Sequence, residues 1–196
     1  MPNLKKYREK RDAGSTPEPM GEKDTDEGRD LVFVIQEHDA SSLHWDFRLQ
    51  VGDVLKSWAV PKGPSTDPGE KRLAIRTEDH PLDYADFEGT ISEGNYGAGS
   101  VIVWDRGVYR HRTERDDERI SFEEADKKGH ISVVLEGEKL QGGYELIKME
   151  GDRWGEDQWL LKKSDDDQAD ARRKPTSTQP ESVLSGRTVE EVSQQK

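Results

Sequence analysis

Four polar side chains alternate along one short stretch of this chain: His44, Asp46, Arg48 and Gln50. Trp45, Phe47, Leu49 and Val51 fill the positions between and after them. A period of two is the period of a β-strand, so each set shares one face. The apolar set predicts a core face. The polar set lines up an imidazole, a carboxylate and a guanidinium, each about 6.5–7 Å from the next. From that spacing a His and an Asp can converge on a hard or borderline divalent ion, at bond lengths of about 2.0–2.2 Å. Arg48, one step further, would grip an oxyanion held by that ion. His38, six residues before His44, would complete a His-His-Asp set. The bland reading stands beside this one. Any half-exposed strand alternates, and an exposed Asp46–Arg48 pair would be worth little.

Other stretches carry weaker signals. The segment from Glu78 to Tyr84 contains Pro81 and reads as a loop or turn, where functional side chains concentrate. His80 and Tyr84 would serve there as phosphate donors or in proton transfer; alternatively Asp79 merely caps backbone amides. Gly89, Gly94, Gly97 and Gly99 fit neither a Walker loop nor a dinucleotide fingerprint, and read as tight turns. Lys56, Lys62 and Arg72 flank Pro61, Gly63 and Pro64. They form either a small basic rim suited to a terminal phosphate or ordinary solvated surface.

The elements that must position these groups are mostly strands. Leu31–Gln36, His44–Val51, Val54–Val60, Arg72–Thr77, Ser100–Asp105, Ile131–Glu136, Tyr144–Met149 and Gln158–Lys162 are rich in β-branched and aromatic residues. Gly52 and Asp53 predict a two-residue hairpin turn of primed type. Ser121 with Glu124, and Thr188 with Glu191, are capping boxes; Gly129 stops the first of these two short helices. The expectation is a mainly β protein: a compact antiparallel β-barrel over residues 31–163, with one or two short helices and flexible polar tails. Residues 1–30 are a polar segment expected to contribute in part to the site. Residues 164–196 are a polar linker and short C-terminal helix.

Composition narrows the classes. Among 196 residues, 37% are charged, the net charge is −12 and cysteine is absent. Typical domains carry about 25% charged residues. Absent cysteine excludes a disulfide scaffold, a thiolate zinc site and a thiol nucleophile. No apolar run approaches the roughly 18 residues of a membrane span, and the N-terminus lacks a signal-type apolar stretch, so a cytoplasmic location without membrane contact is expected. Strong acidity argues against coating nucleic acid by charge alone.

Taken together, the stretches Val34–Leu49, Leu55–Pro64, Glu78–Gly89, Glu93–Gly99 and Ser182–Thr188, with Arg11, Asp12 and Thr16–Pro19, closely resemble the 3′-phosphoesterase domain of bacterial DNA ligase D. The likeness covers residues 4–192. It implies a β-barrel with an active-site hollow, and a Mn²⁺-dependent enzyme (other divalent metals being possible) that heals DNA 3′ ends during double-strand break repair by end joining. A 3′-terminal ribonucleoside would be removed to leave a 3′-phosphate, and the phosphate would then be hydrolysed to a 3′-OH. The resemblance implies metal ligation by His38, His44 and Asp46. It implies phosphate contacts from Arg48 and His80, with Tyr84 assisting. Arg11, Asp12 and Glu18 fall on positions implied to be catalytic, and Gln36, Lys62 and Arg72 on positions implied to bind substrate. Trp45 stands where the family usually has Tyr; by parity it points into the core. Polymerase and ligase modules are absent from the sequence, so a stand-alone enzyme with separate ligase and polymerase partners is expected.

Two rival readings come from other classes. His44 and Asp46 with the distant His130 imitate the facial triad of an Fe(II) oxygenase. A non-catalytic module that binds DNA ends and recruits a ligase or polymerase is the other.

Overall fold

A computed structural model describes residues 4–12, 14–19, 31–151, 155 and 157–195. Residues 1–3, 13 and 20–30 of the expected polar N-terminal segment therefore lie outside the described residues. Helix α1 (Lys5–Glu9) comes first. Strands β1 (Val32–Asp39), β2 (Leu43–Val51), β3 (Val54–Val60) and β4 (Lys71–Arg76) follow as an antiparallel meander. The two-residue turn at Gly52 and Asp53 joins β2 to β3, with Val51 opposite Val54. Gly52 adopts a positive φ of 60°, which a primed turn requires and glycine supplies without strain.

Two short strands, β5 (His80–Pro81) and β6 (Gly89–Ile91), flank a 3₁₀ helix over Leu82–Asp86. Then come the 13-residue β7 (Gly99–His111), a small hairpin of β8 (Glu114–Arg115) and β9 (Glu118–Arg119), and α2 (Phe122–Lys128). The Ser121 side chain caps α2 and Gly129 ends it in a left-handed conformation. Strands β10 (His130–Gly137), β11 (Gln141–Lys148) and β12 (Gln158–Lys163), then α3 (Pro175–Thr178) and α4 (Val189–Ser193), complete the chain. Thr188 and Glu191 form the full reciprocal capping box on α4.

Eight strands close into an antiparallel barrel in the order β1-β2-β3-β4-β12-β11-β10-β7, with β7 returning to β1. Closure removes the exposed edges that an open sheet would present. Side chains fill the interior, as they must in a barrel this narrow: Phe33, Ile35, Phe47, Trp58, Trp104, Tyr144 and Trp159 are all buried there. Trp45 joins this core, as its parity requires. Fully burying each such side chain contributes about 1.5–3 kcal/mol.

A second apolar cluster lies on the opposite face of the same strands. Val34, Leu55, Val101 and Val103 are covered there by Tyr7, Tyr84, Phe87 and Ile91. So β2 is buried on both faces. Its polar face is roofed by the N-terminal segment and the 3₁₀ helix, and is not a solvated surface. Residues 164–195 run along the barrel wall. The Trp104 indole donates to the Gln179 carbonyl at 2.8 Å, Val183 bonds Val103 through backbone, and Val189 and Val192 of α4 pack on Ile102. No described helix is long and apolar enough to cross a membrane.

Candidate active site

The β1–β2 hairpin builds the centre of the site. Its register places His38 directly opposite His44, and Gln36 opposite Asp46. The donor atoms of His38, His44 and Asp46 lie within 4.8 Å of one another. His38 Nδ1 is 3.7 Å from one Asp46 oxygen, and His44 Nε2 is 3.5 Å from the other. Each imidazole has its remote nitrogen against a backbone carbonyl: His38 Nε2 on Gly97 at 2.8 Å, and His44 Nδ1 on Ser42 at 3.0 Å. Those bonds put a proton on the remote nitrogen of each ring, so the facing nitrogen of a neutral ring would be free to ligate an ion, as outer partners of metal-binding histidines allow. Burial alone would raise the Asp46 pKa, but the Arg48 guanidinium and the two imidazoles outweigh it and hold the carboxyl well below its usual range. Two imidazole nitrogens and one carboxylate, convergent and oriented from behind, fit a divalent ion of N/O preference.

Arg48 lies beside this set and is only 3% exposed. Its Nη2 donates to Asp46 at 3.0 Å and its Nε to Gln36 at 2.7 Å, while the guanidinium sits 5.0 Å from the Tyr84 ring centre. Nη1 is buried and has no hydrogen-bond partner among the described residues. An ionised donor left without an acceptor is costly, so Nη1 is available to an anion that enters beside it.

A hollow of about 320 Å³ joins these groups. Its wall includes Arg11, Glu18, His38, His44, Asp46 and Arg48, with His80 and Tyr84. His80 is fixed by Nδ1 donating to the Glu78 carbonyl at 2.9 Å, which leaves Nε2 as the remaining ring nitrogen. Burial, then the charges of Arg48 and Arg11, push its pKa well below the usual value, so the ring is neutral. Tyr84 donates its hydroxyl to Glu18 at 3.1 Å; burial and then the Glu18 charge push its pKa well above 10 and keep the proton on it. Glu18 also accepts from Arg11 Nε at 2.8 Å, and Arg11 Nη1 reaches Glu78 at 3.1 Å. Tyr7 closes the wall edge-on to His80, with ring centres 4.8 Å apart, and its hydroxyl donates to the Pro19 carbonyl.

The expected residues divide into two groups. His38, His44, Asp46, Arg48, His80, Tyr84, Arg11 and Glu18 come together in one hollow. Gln36 stands behind it, fully buried, donating to the Tyr84 and Phe87 carbonyls and accepting from Arg48; its geometry is that of a support. Asp12 is exposed and accepts from the Gly14 amide. Lys62 is exposed on the turn after β3, and Arg72 pairs with Glu70 at 2.7 Å. Lys56 pairs with Asp79, so Lys56, Lys62 and Arg72 form no rim around the hollow. His130 is more than half exposed and pairs with Glu145, which removes it from any facial triad with His44 and Asp46.

Sequence reading passed over Tyr7, Glu78 and the carbonyls of Ser42 and Gly97. Backbone acceptors carry no side-chain signature. The glycine-rich stretch offered the only hint for Gly97, whose positive φ of 75° turns that carbonyl to His38.

The family profile described as the DNA ligase D 3′-phosphoesterase domain matches residues 36–148, over half of the chain. The chain is 51% identical over 189 residues to the multifunctional non-homologous end joining protein LigD of Pseudomonas aeruginosa, covering 95% of this chain and 22% of that protein. It is 48% identical over 151 residues to the LigD DNA repair protein of Mycobacterium tuberculosis, covering 77% and 19%. The LigD protein of Mycolicibacterium smegmatis is 45% identical over the same length, covering 77% and 20%. The chain thus spans about a fifth of the length of the curated relatives it matches. With the hairpin, its convergent ligands and its buried guanidinium inside the matched region, the chain belongs to the DNA ligase D 3′-phosphoesterase domain family.

Proposed function

We propose that this protein is a metal-dependent 3′-phosphoesterase that heals nucleic acid 3′ ends for double-strand break repair by end joining. The observation that carries the reading is the unpartnered Arg48 Nη1 beside three convergent metal-ligand atoms in one hollow. His38, His44 and Asp46 would hold Mn²⁺ or a similar divalent ion, which supplies Lewis-acid polarisation of a phosphoryl oxygen and lowers the pKa of water.

The protein groups account for the rest. Arg48 donates from Nη1 to a non-bridging phosphate oxygen and offsets the charge that grows there. Burial first, and the Arg48 and Arg11 charges second, hold His80 neutral; the arriving phosphate offsets those charges and so favours uptake of a proton at Nε2 as substrate binds. His80 then gives that proton to the leaving oxygen, a step worth typically 10²–10⁴-fold. With water as the nucleophile, a 3′-terminal ribonucleoside departs through its 5′ oxygen to leave a 3′-phosphate. The same groups then release the phosphate from the 3′ oxygen. Gln36 and Glu18 hold Arg48, Tyr84 and Arg11 in place for both steps.

The test is a primer–template with one 3′-terminal ribonucleotide and a matched 3′-phosphate strand, each incubated with Mn²⁺ beside His44→Ala. Metal-dependent shortening to a 3′-phosphate and then a 3′-OH, lost in the variant, is the expected result. Loss of the phosphate alone reduces the assignment to a 3′-phosphatase. No change in either strand across Mn²⁺, Mg²⁺, Co²⁺ and Zn²⁺ overturns it and leaves an end-binding module.

A further inference from the structure

A second, larger groove of about 730 Å³ adjoins the hollow. The two share Thr77, Glu78 and Tyr96 in their walls, so one opens beside the other. The chain as a whole is strongly acidic, at −12, yet this groove gathers Lys6, Lys10, Arg76, Lys127 and Lys148. Its carboxylates are mostly engaged. Glu78 is held by Lys10 and Arg11, Asp79 by Lys56, and Asp126 by Arg76. That leaves Asp157 against Lys6, Lys127 and Lys148, and these three lysines have no ion pair among the described residues. Three elements supply them: α1, α2 and β11.

Between the groove and the hollow stands Tyr96, 48% exposed. Lys10 lies over its ring, 4.5 Å from the centre. An exposed aromatic ring at the mouth of a cationic channel is the arrangement that takes a stacked base with the sugar–phosphate chain running on behind it. Free ammonium groups spread along a groove match phosphates repeating along a strand, whereas the hollow itself has room and donors for only the terminal one.

We propose that this groove seats the backbone of the nucleic acid strand, with Lys6, Lys127 and Lys148 on successive phosphates and Tyr96 stacking a base where the strand enters the hollow. The inference rests on the end-healing reading for its choice of ligand, and it locates the affinity of an acidic protein for an acidic polymer in one local patch. Lys127 and Lys148 touch none of the groups in the hollow. Their loss therefore changes binding of long strands and leaves the chemical step alone.

The experiment measures binding without turnover. A fluorescently labelled primer–template is titrated with the full chain in EDTA at several salt concentrations, by anisotropy. Lys127→Glu with Lys148→Glu is expected to weaken binding about tenfold or more. The slope of log affinity against log salt should flatten by about two, near one per lost phosphate contact. The Lys127→Arg, Lys148→Arg pair should restore both, and a 3′-phosphorylated dinucleotide too short to reach the groove should bind all forms alike. Both residues are exposed, and an unchanged thermal transition verifies folding. An affinity and salt slope equal to those of the unaltered protein overturn the proposal. Because the readout is binding, absent turnover would count against the end-healing reading alone.

Discussion

The two ends of the chain both lie on the barrel, but by different means. Residues 4–12 and 14–19 have one buried apolar anchor, Tyr7, and are otherwise held by charge and hydroxyl groups: Arg11 bridges Glu18 and Glu78, Thr16 and Tyr84 donate to Glu18, and Ser15 donates to Asn95. Residues 164–195 are held by backbone carbonyls and apolar anchors: Trp104 and Lys139 donate to the Gln179 carbonyl, and Val189 and Val192 pack on Ile102. The first end lines the hollow and the second does not. A segment fixed by buried ion pairs gives orientation at little net stability; one fixed by apolar burial gives stability with little directional demand. The difference predicts that damage to the first end shows in turnover and damage to the second in folding.

The largest expected effect is that of Arg11→Ala. Removing this guanidinium leaves Glu18 and Glu78 without their buried cation and frees the N-terminal segment from the wall of the hollow, outside the barrel's own core. The value of kcat/KM should fall by on the order of 10²-fold or more, with the urea midpoint of the barrel little changed. An equal drop in midpoint would erase the contrast between the ends. Next is Val192→Asp, which sets a carboxylate against Ile102. It should destabilise the fold by about 2–4 kcal/mol, read from urea unfolding, while kcat/KM under native conditions holds. A smaller effect follows from Tyr84→Phe, which removes one hydrogen bond to a charged acceptor worth about 1.5–3 kcal/mol. Turnover should drop by roughly tenfold. No change would take the Tyr84 hydroxyl out of the site's support.

The smallest effect is a pH dependence confined to one end. Burial alone would raise the Glu78 pKa, but its own backbone amide, Lys10 and Arg11 bring it below the usual carboxylate value. A depressed folded value means that the clamp is fully present above the unfolded pKa of about 4.3 and is lost as pH falls through the folded one. Hydrogen-exchange protection over Tyr7–Arg11 should therefore decline in that acid range while Val183 and Val192 stay protected. Parallel decline at both ends would contradict the electrostatic account of the first.

Much of this was legible from alternation alone. Strict period-two patterning placed Trp45 and Phe47 inside and Asp46 and Arg48 outside, and the short turn between His38 and His44 let the two imidazoles meet. Two pairings of the barrel were not legible, because β1 and β7, and likewise β4 and β12, are far apart in sequence and neither strand names its partner. The roof over the polar face was equally hidden. Nothing in the types of Tyr7, Arg11 or Glu18 states that they return to β2, since that contact is tertiary and electrostatic. Lys62 and Arg72 show the converse. Both are close to the site in sequence, yet Lys62 sits on the turn after β3 and Arg72 pairs with Glu70, outside the lining of the hollow.

One hairpin supplies all three candidate metal-ligand side chains, and this bears on how the molecule is made. A hairpin forms in about 1–10 μs, far faster than a chain is synthesised at some 5–20 residues per second. The triad is complete in sequence at residue 46, whereas the barrel cannot close until β12 has been made, more than 100 residues later. On the ribosome, then, the three side chains are all made several seconds before the wall that encloses them.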